Sequence, residues 1–149
     1  DPPLIIADEC TTALDVMIQA QIVNLLKELN SRLGLSMVFI NHDLGLVAEI
    51  CDRVGVMYAG RIVETGPVRE IFQRPAHPYV RQLIAALPLM HGDHTQLRSI
   101  PGTPPRLKQG IPGCAFLPRC ERGDSSCSTD LPGEIEISKG HRVACLKLS

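Results

Sequence analysis

The first fifty residues alternate between short apolar runs and one long amphipathic segment. Apolar runs of strand length lie at Leu4–Ala7 and Ser36–Ile40, and between them Val16–Leu33 has apolar residues near helical spacing. Gly34 follows as a residue suited to the left-handed backbone that ends many helices. A strand, a helix and a strand in this order form a βαβ unit, so the pattern predicts parallel strands joined by a right-handed crossover.

The middle of the chain predicts shorter elements. Two apolar strand segments flank Ala59-Gly60, which is the arrangement of a β-hairpin. Pro78 is placed at a helix N1 position, where its fixed φ suits the first turn. The predicted elements are a helix at 44–51, hairpin strands at 53–58 and 61–64, and helices at 69–72 and 79–87.

The amino-acid composition and the hydrophobic periodicity change near residue 97. Six prolines and six glycines fall within residues 98–149, and the hydrophobic periodicity fades. This composition disfavours a bundle of helices or strands. We expect loops in this region, held in place by something other than a large apolar core.

Composition and charge restrict the class of protein. The chain has 149 residues, of which 44% are hydrophobic and 21% charged, as in globular domains. Residues 1–97 carry 7 basic and 11 acidic side chains, and residues 98–149 carry 8 and 5. This weak excess of positive charge in the tail gives no support for nucleic acid as a partner. No apolar run approaches the roughly 18 residues that a membrane-spanning helix needs.

Polar side chains follow both strands of the predicted βαβ unit. Asp8 and Glu9 come directly after the first apolar run, and His42 follows the second. Because parallel strands end at the same edge of a sheet, these side chains can meet in one crevice. Carboxylates at such an edge can hold Mg²⁺ and position a water for phosphoryl transfer. The alternative is an acidic pair that caps the next turn and a histidine that lies in an ordinary loop.

These motifs, in this order, resemble the ATP-binding subunits of ABC transporters. The apolar strand ending in Asp8-Glu9 resembles a Walker B motif, Thr11–Asp15 a D-loop, and His42 the switch histidine. The later segments Met57–Gly66 and Arg74–Tyr79 and the cysteines of the tail resemble the subfamily of dipeptide and oligopeptide importers. The fold this implies is α/β, with the Walker B half of a P-loop-type parallel sheet followed by a loop-rich C-terminal extension.

The resemblance implies a role for each candidate residue. Asp8 would hold Mg²⁺ through a water, and Glu9 would orient or deprotonate the water that attacks the γ-phosphate of ATP. His42 would contact that phosphate and sense its loss. Asp15 would reach a second ATP-binding subunit, although by its local sequence it is also an N-cap for the helix that follows.

The chain departs from the family pattern in three places. Neither a G-x-x-x-x-G-K-[ST] phosphate loop nor a Leu-Ser-Gly-Gly-Gln signature occurs in the 149 residues, and Cys10 stands where the family usually has proline. We therefore expect the C-terminal half of an ATPase subunit, inactive by itself. The alternative is a non-catalytic truncated module that binds a metal or an iron–sulfur cluster, or pairs with an intact subunit.

Four of the six cysteines lie in the tail, at positions 114, 120, 127 and 145. Their spacing is looser than that of zinc ribbons, so two disulfides or four inert thiols are the alternatives to a metal site. The resemblance implies a [4Fe–4S] cluster held by Cys114, Cys120, Cys127 and Cys145, with Zn²⁺ as the second choice. Cys10 and Cys51 are excluded from the set.

The resemblance also implies domains and partners. Residues 1–72 would form the C-terminal part of the ATPase domain, 73–97 a His-Pro-Tyr linker and helix, and 98–149 the cysteine-containing C-terminal region. The partners would be transmembrane permease subunits, a second ATP-binding subunit and, indirectly, an extracytoplasmic solute-binding protein. The location would be peripheral, on the cytoplasmic face of the inner membrane.

Overall fold

A computed structural model describes residues 3–87, 99–105 and 110–148. Backbone contacts divide the chain into two compact units. The boundary between them along the chain falls between Asp52 and Arg53. In the described ranges, no helix has both the length and the apolar character needed to cross a membrane.

The first unit contains the predicted βαβ unit. It consists of β1 (Leu4–Asp8), α1 (Val16–Leu33), β2 (Ser36–Ile40) and α2 (Leu44–Ile50). Strands β1 and β2 are parallel, with Ile6 opposite Val38 and Asp8 opposite Ile40. The prediction of adjacent parallel strands is confirmed, and α2 ends one residue earlier than expected.

Local capping explains the bounds of α1. The Asp15 side chain accepts a hydrogen bond from the Ile18 amide at 2.9 Å, which satisfies one of the unpaired donors of the first turn. At the other end Gly34 has a φ of 61° and its amide donates to the Asn30 carbonyl. Both caps are short-range features of the sequence, so the helix could be predicted to the residue.

The two faces of the parallel strand pair differ in exposure. On one face, Ala7 is buried. On the other face the apolar side chains are exposed, with Ile6 at 64%. A parallel strand pair is normally covered on both faces, so this second face is suited to further packing.

The second unit is built on a four-stranded antiparallel sheet. Its strands are β3 (Arg53–Tyr58), β4 (Arg61–Pro67), β5 (Ile135–Ser138) and β6 (His141–Val143), in the order β3-β4-β6-β5. The first hairpin turns at Ala59 and Gly60, which have φ values of 50° and 79°. Positive φ at both central residues is the geometry of a type I′ turn, as the predicted hairpin requires.

The strands of the tail are elements that the sequence analysis missed. Strands β5 and β6 form a hairpin, and β6 pairs with β4 through Glu64 opposite Val143 and Thr65 opposite Arg142. The signal was present but short, because Ile135 and Ile137 alternate with polar residues before the turn at Gly140, which has a φ of 71°. The tail is therefore joined to the first hairpin by strand pairing.

The helices of the second unit are short. They are α3 (Val68–Gln73), α4 (Pro78–Ala85) and α5 (Ser126–Thr129), with one 3₁₀ turn at Leu117–Arg119. Pro78 occupies the first turn of α4, as predicted. The predicted domain boundary at 97/98 lies outside the described residues. The domain boundary at 72/73 stays a prediction. The boundary between the two compact units lies earlier in the chain, after Asp52.

Aromatic side chains form the centre of the second unit. The Tyr58 ring lies 4.6 Å from that of Tyr79 and 5.2 Å from that of Phe116, between ring centroids. Phe116 is 1% exposed, and its ring also lies 5.9 Å from that of His77. Three of the five Phe and Tyr residues of the chain thus join the hairpin, α4 and the tail in one core.

Candidate functional site

The ends of the two parallel strands bring two of the predicted site residues together. The Glu9 amide donates to the Ile40 carbonyl at 2.9 Å, which extends the strand pairing by one residue. The Glu9 Oε1 atom then lies 3.4 Å from Nδ1 of His42. Both side chains are more than half exposed, so they are open to a ligand from solvent.

A buried threonine supports this arrangement. Thr11 is 1% exposed, and its hydroxyl accepts a hydrogen bond from the Asn41 side chain at 2.8 Å. Its carbonyl accepts from the Gln19 side chain at 3.1 Å. Thr11 therefore links the loop after β1 to the loop after β2 and to α1. The local sequence does not indicate this role, because Asn41 lies thirty residues further along the chain.

The other acidic candidates have separate positions. Asp8 is the last residue of β1, directly before Glu9. Asp15 caps α1 and is exposed, while Asp43 caps α2 by accepting from the amides of Gly45 and Leu46.

The backbone of this loop adopts an uncommon conformation. Glu9 has a backbone φ of 45° and Ala13 has one of 63°. Both values lie in the left-handed region, which residues other than glycine rarely adopt. Such conformations are found where the surrounding structure holds a residue in a functional position.

The four cysteines of the tail line one small cavity in the second unit. Cys114, Cys120, Cys127 and Cys145 all contribute to its wall. All six cysteines of the chain are free thiols, so the alternative of two disulfides is not what the structure contains. Cys10 and Cys51 lie in the first unit, outside this set.

A glycine allows the cysteine-bearing segments to approach each other. Gly113 has a φ of 69°, and a Cβ atom there would lie 2.4 Å from the Cys127 carbonyl oxygen. The next amide, that of Cys114, donates to the same carbonyl at 2.8 Å. Glycine at position 113 is therefore required for the pairing of the Cys114 and Cys127 segments.

Two cations of the tail have separate partners. Arg119 donates to the carbonyls of Ile100 and Pro101 and to the Tyr58 hydroxyl. Lys147 interacts electrostatically with Cys127 and Cys145 and is hydrogen-bonded to Asp124. This lysine is thus a cation of the cysteine cavity that the sequence analysis did not identify.

Burial raises the pKa of the Cys114 and Cys120 thiols, and the neighbouring thiols add to the effect. Protons therefore have to leave before these sulfurs can bind a metal. Within the described ranges, no group of three or more His, Cys, Asp and Glu side chains has the arrangement that holds a single metal ion.

A buried glutamate connects three parts of the second unit. The Glu64 side chain is fully buried in β4, and its two oxygens accept from the amides of Ala76 at 2.9 Å and His77 at 2.7 Å. Its Oε1 atom also lies 2.7 Å from Nε2 of His141 in β6. Glu64, His77 and His141 form what we call the Glu64 cluster. In the sequence, the local signal for this cluster is limited to one acidic residue, Glu64, within a predicted strand.

His77 has a defined proton arrangement in this cluster. Its Nδ1 atom accepts from the Tyr79 amide at 3.1 Å and thereby caps α4. An accepting Nδ1 requires the neutral ring, and burial lowers the pKa of His77 from 6.5 to about 4. The predicted helix entry at His77-Pro78 is therefore a buried cap.

The fold is α/β, with a parallel strand pair that ends in acidic residues and a tail that bears cysteines. Known proteins are similar to this chain over parts of their length. Residues 63–127 match the family model for the C-terminal region of oligopeptide/dipeptide transporters. A protein of Brucella melitensis named as a peptide import ATP-binding protein is 47% identical over 99% of this chain and 45% of its own length. One of Sinorhizobium fredii, named as a peptide ABC transporter ATP-binding protein, is 50% identical over 97% of this chain and 43% of its own length.

One matching solved structure is CbiO1 of Clostridium perfringens, which is part of the ABC transporter complex CbiONQ. The sequence identity is 37% and the TM-score is 0.45. The match covers 49% of this chain and 29% of CbiO1. The chain spans less than half of the curated relatives it matches. The chain is thus similar to proteins named as peptide import or peptide ABC transporter ATP-binding proteins, and it contains a segment that matches the C-terminal region of oligopeptide/dipeptide transporters.

The buried neutral state of His77 predicts a pH dependence of stability. The unfolded chain binds a proton at His77 near its ordinary pKa of 6.5, whereas the folded chain resists protonation down to about 4. Its stabilising contribution is therefore complete above about pH 6.5 and is lost as the pH falls toward 4, amounting to about 3 kcal/mol. Urea unfolding between pH 7 and 4 measures this loss.

His77→Asn is the matched variant, because asparagine also caps helices and does not titrate. We expect its unfolding free energy to depend less on pH over this range. An equal slope in the variant and the original chain would contradict the assignment.

Proposed function

We propose that this chain is part of the ATP-hydrolysing subunit that powers peptide import by an ABC transporter. The observation that carries the proposal is the 3.4 Å approach of Glu9 and His42 at the ends of two parallel strands. The curated relatives support it, since they are named as peptide import ATP-binding proteins and match nearly the whole chain.

Each residue has a distinct role in this proposal. Asp8 would hold Mg²⁺, which supplies charge stabilisation to the phosphates of ATP. Glu9 orients the attacking water or accepts its proton, and the exposed carboxylate leaves room for that water. His42 donates a hydrogen bond toward the γ-phosphate, and Asp15 contacts a second ATP-binding subunit. In phosphoryl transfer the protein mainly positions the reactants, which suits side chains on fixed strand ends.

The partners follow from the same proposal. They are transmembrane permease subunits, a second ATP-binding subunit and, through the permease, an extracytoplasmic solute-binding protein. The location is peripheral, on the cytoplasmic face of the inner membrane. The apolar face that Ile6 and Val38 present in the first unit is suited to packing within a larger ATPase domain.

Substitution of Glu9 tests the ATPase proposal. In a whole subunit that contains these residues, we expect Glu9→Gln to lower ATP hydrolysis by about a hundredfold or more and to leave ATP binding intact, because the amide cannot take a proton. Glu28→Gln is the control, since Glu28 forms only an exposed ion pair with Arg32. Hydrolysis and nucleotide binding are measured on the same preparations.

Hydrolysis by the Glu9→Gln subunit at the original rate would contradict the role of Glu9. The 149-residue chain alone should show no turnover, because it contains no phosphate loop to hold the β- and γ-phosphates. Turnover by this chain that disappears in Glu9→Gln would contradict that expectation.

We further propose that Cys114, Cys120, Cys127 and Cys145 hold a [4Fe–4S] cluster. Zn²⁺ is the second choice, and it would require the four sulfurs to move closer together than they are in the described structure. The donor types suit such a group, because four thiols from separate segments line one small cavity, and Lys147, which is paired with Asp124, lies beside two of them. A four-iron cluster gives each thiolate its own iron, so it does not require the close grouping that one metal ion needs. The role is structural, offsetting the ordering entropy of a tail rich in glycine and proline.

Metal analysis after anaerobic preparation tests this proposal. We expect iron and sulfide in equal amounts in the original chain, and loss of both when any of the four tail cysteines is replaced by serine. Cys10→Ser and Cys51→Ser are matched controls that should keep the metal. Zinc without sulfide would support the second choice, and metal content unchanged in all four tail variants would exclude the site.

A further inference from the structure

A second cavity lies in the second unit, beside the one lined by the four tail cysteines. It has a volume of about 280 Å³, close to the lower end of the range for small-molecule sites. The hairpin and the tail both contribute to it. The two cavities share the walls formed by His77, Cys114, Phe116 and Pro132.

The interior of this second cavity is apolar. Tyr58 and Phe116 line it with their rings edge to face, at an interplanar angle of 89°. Ile62 and Leu131 also contribute aliphatic side chains to the wall. These groups favour an apolar side chain of the size of leucine.

Two opposite charges also line the cavity, those of Arg61 and Glu134. Neither side chain has a hydrogen-bond or ion-pair partner in the part of the chain that the structure describes. The other charged side chains nearby differ, because Arg53 donates to the Gly140 carbonyl and Glu136 accepts from the Gly140 amide. Among the described residues, no partner competes with a ligand for Arg61 or Glu134.

The strand register gives the separation of these two charges. Glu64, Val143 and Ile135 lie side by side across β4, β6 and β5. Arg61 precedes Glu64 and Glu134 precedes Ile135, and β4 and β5 run in the same direction, so both charged residues lie at the same end of the sheet. Because β6 lies between β4 and β5, two strand spacings and an offset of about two residues along the strands place their backbones roughly 12 Å apart.

We propose that this cavity binds a small zwitterion with one bulky apolar side chain, of the size of an amino acid or a dipeptide. Arg61 binds the ligand carboxylate, for which its planar fork of donors is suited, and Glu134 binds the ammonium group. An extended dipeptide spans about 7 Å. This is shorter than the separation between the backbones of Arg61 and Glu134, so the two side chains can reach its two charged ends. The rings of Tyr58 and Phe116 pack against the apolar side chain of the ligand. The proposal does not depend on ATP hydrolysis.

Isothermal titration of the full chain with defined ligands tests the proposal. The ligands are leucine, alanyl-leucine, N-acetyl-alanyl-leucine and alanyl-leucine amide, so that the charges are removed one at a time. We expect leucine or alanyl-leucine to bind, and each blocked dipeptide to bind about tenfold more weakly than alanyl-leucine. Tyrosine emission gives a second signal, because the chain has no tryptophan and Tyr58 lines the cavity.

Variants assign each charge to its side chain. Arg61→Gln should weaken binding of alanyl-leucine about tenfold and leave the weak binding of its amide unchanged, since the amide has no carboxylate to lose. Glu134→Gln should also weaken binding of alanyl-leucine about tenfold. It should leave the weak binding of N-acetyl-alanyl-leucine unchanged, since that compound has no ammonium group to lose. Arg142→Gln and Glu121→Gln are matched controls, because both residues are exposed and lie outside the cavity wall.

Three results would overturn the proposal. They are no binding of either zwitterion to the folded chain, equal affinity for charged and blocked ligands, and equal effects of the cavity and control variants. Circular dichroism of each variant confirms folding. Because Arg61 and Glu134 are exposed, we expect the variants to fold like the original chain.

Discussion

The buried carboxyl group of Glu64 is the interaction on which the second unit depends. A carboxylate without partners is costly to bury, so its position is tolerable only because both oxygens are hydrogen-bonded. Its partners are two consecutive amides, those of Ala76 and His77, and the His141 ring. They belong to the loop before α4 and to the last strand, so one side chain fixes the first hairpin, the helix entry and the tail.

This constraint places the tail where its chemistry becomes possible. Once β6 pairs with β4, the aromatic core can form between Tyr58, Tyr79 and Phe116. The core brings the cysteine-bearing loops into one cavity and leaves the second cavity beside it, with Cys114 in the wall of both. A ligand in the second cavity would therefore lie next to a residue of the proposed cluster. The Glu9 and His42 site of the first unit is organised separately, by strand ends and by the buried Thr11.

The sequence predicted best where the determinants are local. The bounds of α1 followed from Asp15 and Gly34, the hairpin from Ala59-Gly60, and the start of α4 from Pro78. The approach of Glu9 and His42 followed from the rule that parallel strands end at one edge. The grouping of the four tail cysteines was predicted from resemblance rather than from spacing. All four line one cavity, and their role as metal ligands stays a prediction.

The interactions that escaped prediction join residues far apart in the chain. Glu64 and His141 are separated by 77 positions, and Arg119 contacts Tyr58 across 61. The strands β5 and β6 are only four and three residues long, too short for a clear alternation among glycines and prolines. No local pattern indicates which buried glutamate will accept from which amide, so the Glu64 cluster required the structure.

Hydrogen exchange at two backbone amides tests the role of Glu64 most directly. The amides of Ala76 and His77 lie in a loop, where exchange is normally fast, yet both donate to the Glu64 side chain. The account predicts that they exchange as slowly as the Ala144 amide, which donates to the Val63 carbonyl beside β6. Exchange of both amides as fast as that of the exposed Gly102 would contradict it.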